Sequence, residues 1–320
     1  MRVALIGYGK VGKAFARLLN TKKSTFPFRI VGIHTARHGT AYDLNGLAVE
    51  PQWGPAAASV EAFLDQAQPE IAVEITTLNP SSGEPAISHI RSAFQRNIPV
   101  ITANKGPIAH AYRALDAEAR RRHVQFRFES TVMDGTPIFN NLRNNLPGVK
   151  ILGFRGILNS TSKIVLAAMQ RGLSMEDGIR EAQQMGVAEA DPCYDIDGWD
   201  SAAKTAALAN VLMQAETTPQ HVNRRGLRDM DPQEPARLAK TGKTIQLVSS
   251  AERIDGSVRL QVRPEILETS DILAAVAGTS NLLLLHTDLM GTIGTLSINP
   301  GVEQTAYGLF SDLIDIAKSV

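Results

Sequence analysis

The hydrophobic positions change period along the chain. Val3, Ala4, Leu5 and Ile6 form an unbroken apolar run with glycines directly behind it, the pattern of a strand buried on both faces. Over residues 10–20, Val11, Ala14, Phe15, Leu18 and Leu19 recur at helical spacing. The alternation then continues. Residues 28–33, 71–75, 99–102 and 124–128 read as strands; 60–66, 84–95 and 109–122 read as helices. Strands alternating with helices predict a parallel sheet with helices on both faces.

Near Pro137 the pattern changes character. A strand at 151–158 is followed by helices at 163–170, 174–185 and 201–213, the last rich in alanine. Strands at 244–252, 259–263, 282–285 and 291–297 then follow one another with turns between them. This half reads as α+β with an antiparallel sheet. A final helix at 304–318 is expected to pack back on the first domain. The expected division is 1–137 plus 301–320 for one domain and 138–300 for the other. There is no internal repeat and no low-complexity tract.

A length of 320 residues exceeds what one hydrophobic core usually serves, which agrees with two domains. A net charge of +1 carries no footprint for nucleic acid or an anionic membrane. The one basic run, Arg120-Arg121-Arg122-His123, reads as the solvated end of a helix. Cys193 is the single cysteine, so no intramolecular disulfide can form, which suits a reducing compartment. The apolar run at the N-terminus is too short for a secretion signal, and no stretch is apolar enough to span a bilayer. A cytoplasmic protein is expected.

Gly7-Tyr8-Gly9-Lys10-Val11-Gly12 fits G-x-G-x-x-G. Alone the pattern is weak, but here it follows a strand and opens a helix, the context of a dinucleotide-binding Rossmann unit. The first glycine permits the turn, the second lets a pyrophosphate approach the backbone, and the third lets helix and strand pack closely. The helix N-terminus adds free N–H groups and a positive dipole end. The bland alternative is a tight turn without a ligand. Gly7 to Lys13 also begins like an NTPase phosphate loop, but Ala14 lacks the hydroxyl that would hold magnesium. The second strand ends at Thr35, with Arg37 and His38 just beyond and no acid to bind ribose hydroxyls. A cation there suits a 2′-phosphate, so NADP is expected and NAD is the alternative.

Glu189, Asp191, Asp195, Asp197 and Asp200 crowd the stretch before Lys204. A calcium loop fails, because Cys193 and Lys204 would stand at its first and last ligand positions. A solvated acidic loop stays open. Asp200 and Lys204 are four apart at the start of a helix, so both project from one face. A carboxylate beside a lysine can hold an amino-acid ammonium, while the lysine gives a proton to a carbonyl oxygen and steadies the developing alkoxide. The plain alternative is a surface ion pair worth a few tenths of a kcal/mol. Lys105, in Thr102-Ala103-Asn104-Lys105-Gly106-Pro107, follows a predicted parallel strand, where open α/β sheets present ligands. No G-x-S-x-G or H-E-x-x-H motif supports a hydrolase.

Together these segments resemble homoserine dehydrogenases across almost the whole chain. The match includes Val73-Glu74-Ile75-Thr76, Gly83-Glu84-Pro85-Ala86 and the run from Glu129 to Ile138. Its most specific parts are Ala188-Glu189-Ala190-Asp191-Pro192 and Asp197-Gly198-Trp199-Asp200-Ser201-Ala202-Ala203-Lys204. The resemblance implies an NADP-binding Rossmann domain and a substrate-binding and dimerisation domain. It implies reversible reduction of L-aspartate 4-semialdehyde to L-homoserine, a step in threonine and methionine biosynthesis. Lys204 would be the general acid/base and Lys105 would sit by the nicotinamide and reacting carbonyl. Glu189 and Asp200 would bind the amino group, beside Asn159, Ser160 and Thr161. Thr76 and Gly301 would line the cofactor site. Carbonyls of Glu129, Val132, Asp134 and Thr136 would coordinate a sodium ion. A homodimer is implied, and an end at Val320 leaves no room for a C-terminal ACT regulatory domain.

The family usually has Asn-Gly-Thr where this chain has Asn159-Ser160-Thr161, with Lys163 close behind, and Glu303 follows Gly301 near the cofactor. Two alternatives therefore stand beside the leading reading. One is a dehydrogenase of the same fold acting on another amino-acid aldehyde or alcohol. The other is a non-catalytic NADPH-binding sensor.

Overall fold

The computed structural model describes residues 1–318; positions 319 and 320, the tail of the segment expected to return to the first domain, lie outside the described residues. The chain forms two compact units, Met1–Asn141 together with the segment from Gly301, and Leu142–Pro300. No described helix is long and apolar enough to cross a membrane.

The first unit opens with β1 (Arg2–Ile6), α1 (Lys10–Lys22), β2 (Arg29–Thr35) and β3 (Gly39–Tyr42). It continues with α2 (Val60–Ala67), β4 (Ile71–Glu74), α3 (Ala86–Gln95), β5 (Val100–Thr102), α4 (Lys105–Arg121) and β6 (Phe126–Arg127). A short α5 (Phe139–Asn145) begins here and runs on into the second unit. The sheet order is β3-β2-β1-β4-β5-β6. Val3, Ala4 and Leu5 of β1 are fully buried between its neighbours, which is why that run has no polar alternation.

One expectation needs correction. The sheet is mixed, because β3 runs antiparallel to β2 while the other pairs are parallel. A strand of four residues is too short for its period to be read. The turn before it is closed by Thr35, whose hydroxyl accepts from the His38 N–H at 2.8 Å and donates to the Gly39 carbonyl at 3.3 Å.

The second unit contains β7 (Ile151–Ile157), α6 (Ser160–Gln170), α7 (Met175–Gln184), α8 (Cys193–Ile196) and α9 (Trp199–Met213). After these come β8 (Asn223–Arg224), α10 (Glu234–Lys240), β9 (Lys243–Ile254), β10 (Ser257–Glu268), β11 (Asn281–Thr287) and β12 (Thr292–Ser297). The sheet order is β12-β11-β7-β9-β10-β8, antiparallel except for the short β10–β8 pair. The strand predicted at 259–263 is the middle of the twelve-residue β10, which continues through Pro264. Proline ends a strand only where its missing N–H is needed. Pro264 pairs with Leu247 on one side, and β8 reaches only Gln261 and Val262 on the other, so the position is locally an edge.

The last helix, α11 (Val302–Ala317), lies on α1 in the first unit. Phe310 packs edge-on to Phe26 and Phe28, with ring centroids 5.3 and 6.2 Å apart, and Leu309, Leu313 and Ile316 join the same core. Each such side chain contributes about 2 kcal/mol on burial. Polar contacts also hold this helix. Asp312 accepts the Glu129 N–H at 2.8 Å. The buried Glu129 carboxylate accepts from the N–H groups of Ile138 (2.6 Å), Phe139 (3.0 Å) and Asn140 (2.6 Å), at the start of α5. Each of those donors would cost about 1–3 kcal/mol if left unpaired, so this acid is part of the scaffold.

Candidate active site

In the first unit the strand order reverses at β1, and the loops after β1 and β4 leave from neighbouring strand ends. Such reversal points are where open α/β sheets bind ligands. Gly7 has φ +100°, and a Cβ there would lie 2.5 Å from the Ile75 carbonyl oxygen, so no other residue fits. Gly9 caps α1 without a side-chain bond, and a Cβ there would meet open space. The opening beside Gly9, at the unpaired first turn of a helix, fits an anionic pyrophosphate. Gly12 packs closely, with a Cβ there 3.1 Å from side-chain atoms of Ile75 and Tyr8. Lys10 is exposed and Val11 half-buried.

The Tyr8 hydroxyl donates to the Val49 carbonyl at 2.5 Å, and burial followed by the Glu50 charge pushes its pKa up to about 12. Trp53 meets Tyr8 edge-on and lies 5.6 Å from the His38 ring, both between centroids. Arg37 and His38 are exposed, whereas the Thr35 hydroxyl is engaged within its own turn.

A buried carboxylate joins the ends of β4 and β5. Glu74 accepts from the Thr76 N–H at 3.0 Å, from the Thr76 hydroxyl, and from the Thr102 hydroxyl at 2.9 Å. Thr102 in turn accepts the Asn104 N–H at 2.9 Å, and Asn104 caps α4 through the Gly106 N–H at 3.0 Å. Lys105 is therefore the first residue of α4, four residues before the predicted start. Gly106 and Pro107 fall before the predicted helix start, but proline is tolerated in a first helical turn. Gly301 caps α11, its N–H bound to the Gln304 side chain at 2.9 Å.

In the second unit, Asp200 and Lys204 form an ion pair at 3.0 Å, and the Lys204 ammonium also donates to the Leu158 carbonyl at 2.6 Å. Asn159 bridges two acids, its amide donating to Asp195 at 2.6 Å and Asp200 at 3.0 Å. Its carbonyl oxygen caps α6 by accepting the Ser162 N–H at 2.7 Å, so that helix begins at Ser160 rather than at 163. Thr161 bonds to Asp195 as well. Burial and the Asp200 charge raise the Asp195 pKa, against the opposing bonds from Asn159 and Thr161. Ser160 spends its hydroxyl on the Thr279 carbonyl at 2.9 Å. Lys163, 2% exposed, donates to the Ser280 carbonyl, and burial together with the nearby Lys204 charge lowers its pKa to about 8.

Other predicted residues stand apart. Glu189 is exposed, and its recorded hydrogen bond uses the main-chain carbonyl, which accepts from Gln183 at 3.2 Å. Asp197 pairs with Arg228 at 2.5 Å, and Asp191 accepts the Cys193 N–H at 3.0 Å. Among the described residues no group of three His, Cys, Asp or Glu side chains could hold a metal ion. In the turn holding Glu129, Val132, Asp134 and Thr136, the Glu129 carboxylate is taken by N–H groups, so from that residue a cation could draw only on the main-chain carbonyl.

Two family models meet these features. One described as homoserine dehydrogenase, NAD binding domain, matches residues 7–129, and one described as homoserine dehydrogenase matches residues 137–314. The chain belongs to the homoserine dehydrogenase family. Members of that family are NAD(P)-dependent oxidoreductases acting on a CH–OH group. It is 33% identical to the NAD(+)-dependent homoserine dehydrogenase of Pseudomonas canavaninivorans, over 99% of this chain and 96% of that one. It is 34% identical to the homoserine dehydrogenase of Methanocaldococcus jannaschii, over 100% of this chain and 99% of that one. A hyperthermophilic archaeal homoserine dehydrogenase solved in complex with NADPH superposes with a TM-score of 0.84 at 27% identity, covering 100% of this chain and 98% of the other.

Within this homoserine dehydrogenase framework, several residues carry more than their sequence signal suggested. Glu74 is an acid at the end of an otherwise apolar four-residue strand, which was a readable anomaly. Lys163 and Asp195 lie beside residues already singled out, but nothing local announces their burial. Lys163 offers a direct test. Its pKa is about 8 in the fold against an ordinary 10.5, so between those values the unfolded chain binds a proton that the folded chain has lost. Stability from this position therefore rises as pH increases through that window. The unfolding free energy of the wild type minus that of Lys163→Met, from urea titrations at about pH 7 and about pH 10, is expected to grow with pH. A flat or falling difference would contradict the burial of this ammonium.

Proposed function

We propose that the chain interconverts L-aspartate 4-semialdehyde and L-homoserine with NADP(H). The observation that carries this reading is the half-buried Lys204 ammonium, bonded to Asp200 and to the Leu158 carbonyl beside Asn159. When bound, the nicotinamide cofactor supplies or accepts the hydride. Lys204 gives its proton to the carbonyl oxygen as the alcohol forms and takes it back in the reverse direction. Before transfer its charge steadies the developing alkoxide. Two bonds hold Lys204 in place, so little reorganisation is needed at the moment of reaction. Asp200, with Glu189, holds the substrate ammonium, while Asn159, Ser160 and Thr161 line the amino-acid end. Lys105 polarises the reacting carbonyl, and Thr76 and Gly301 line the cofactor.

The preference for NADP rests on exposed Arg37 after β2 and the absence of an acid at Thr35. The comparisons point both ways, since one relative is named as NAD(+)-dependent and one solved neighbour holds NADPH. A monovalent cation on the carbonyls of Glu129, Val132, Asp134 and Thr136 belongs to the same reading. It is supported by the rigidity of that turn, which Asp312 and the Ser130-to-Thr305 bond (2.7 Å) hold against α11. A homodimer through the second unit is supported by the exposed apolar side chains of Leu152, Ile266, Ile272, Leu296 and Ile298.

Lys204→Ala is expected to bind NADPH normally, by fluorescence titration, and to lose about a thousandfold in turnover of homoserine. Unchanged turnover would remove Lys204 from proton transfer. For Arg37→Glu, steady-state kinetics should show KM for NADPH raised about tenfold or more with KM for NADH little changed. Equal effects on both cofactors would leave the 2′-phosphate assignment without support. Replacing sodium by choline should slow turnover, and sedimentation should give twice the chain mass; indifference to sodium, or a monomer, would sink the corresponding assignment.

A further inference from the structure

We propose that Tyr194 is a further substrate-binding residue, its phenolic hydroxyl donating a hydrogen bond to the carboxylate of the amino-acid substrate. The proposal rests on the reading of the acid–lysine cluster given above. Tyr194 is carried by the short α8, next in the chain to Asp195. Its hydroxyl oxygen is buried and has no hydrogen-bond partner among the described residues. Buried polar atoms are nearly always paired, so an unpaired one beside a binding site needs a reason. The neighbouring acids do not provide a partner. Asp195 and Asp200 both face the phenol closely enough for their charges to act on it, yet their recorded hydrogen bonds go to Asn159, Thr161 and Lys204.

Burial first, then the charges of Asp200 and Asp195, hold the phenol well above its ordinary pKa. The group therefore keeps its proton and can act as a donor. The substrate explains why a donor should be there. Ammonium and carboxylate share one carbon in an α-amino acid. A site that takes the ammonium with acids must offer the carboxylate a donor a bond or two away, or like charges will repel it. An O–H beside the two acids is such a donor, and it adds no charge of its own to the cluster.

The hydroxyl also has an expected signature that a scaffold role lacks. A buried hydroxyl without a partner does not help the free enzyme fold, so removing it should not lower stability. Tyr194→Phe is expected to keep or raise the Tm and to leave NADPH binding unchanged. KM for homoserine should rise about tenfold with kcat within about twofold. The penalty should vanish for 3-amino-1-propanol, the same amino alcohol without the carboxylate, measured as a substrate or as a competitive inhibitor. A lower Tm would mean that the hydroxyl already has a partner in the fold, and would overturn the proposal. So would an unchanged KM for homoserine, or an equal penalty on the carboxylate-free compound. A wild-type enzyme inert toward homoserine would overturn the reading of the whole cluster, and this assignment with it. An active wild type with an indifferent Tyr194→Phe would overturn this assignment alone.

Discussion

Two carboxylates and an ammonium share a space largely closed to water in the second unit, and the surrounding chain is arranged to keep them balanced. Taking an ion out of water costs several kcal/mol even after the protein relaxes. Asp195 and Asp200 are therefore tolerable only with donors at hand. One asparagine side chain supplies both, Thr161 adds a bond to Asp195, and Lys204 supplies the opposite charge. The balance is incomplete at Asp195, which burial and its acidic neighbour still push toward the protonated form. A substrate ammonium would settle that excess of negative charge, which is a physical reason for an amino acid to bind there.

The first unit uses the same materials at a different place. Glu74 is buried at the end of β4, and the Thr76 and Thr102 hydroxyls donate to it. Through Thr102 it steadies Asn104, and Asn104 caps the helix that begins with Lys105. In the second unit Asn159 likewise caps a helix, while the carbonyl of Leu158 just before it holds Lys204. Each lysine thus stands near a buried acid and an asparagine that closes a helix start. A capping bond contributes about 1 kcal/mol, but its larger effect here is positional, because it fixes where a helix begins.

Features that depend on a few neighbouring residues were legible in the sequence. The glycine loop was read from its place between strand and helix, and Gly7 and Gly12 meet the contacts that role requires. The Asp200 and Lys204 pair was read from four-residue spacing, and the two side chains meet at 3.0 Å. Features that depend on distant partners were not legible. The helix starts at Lys105 and Ser160 were placed too late because their caps lie outside the apolar period. β10 was cut short at Pro264 because nothing local says that the position is an edge. The spacing of the acids likewise did not tell that Asp200 is buried while Glu189 is exposed.

The order of residues by itself determined the alternation of strands and helices, the dinucleotide loop and the pairing of an acid with a lysine on one helical face. All three follow from spacing along a backbone of known geometry. Only the tertiary structure decided which charges are buried, which donor serves which acid, and that Lys163 and the Tyr194 hydroxyl lie beside the same cluster. The physical reason is that burial and hydrogen-bond partnership are properties of packing. They arise between segments such as 158–163, 194–204 and 279–280, which only folding brings to one place.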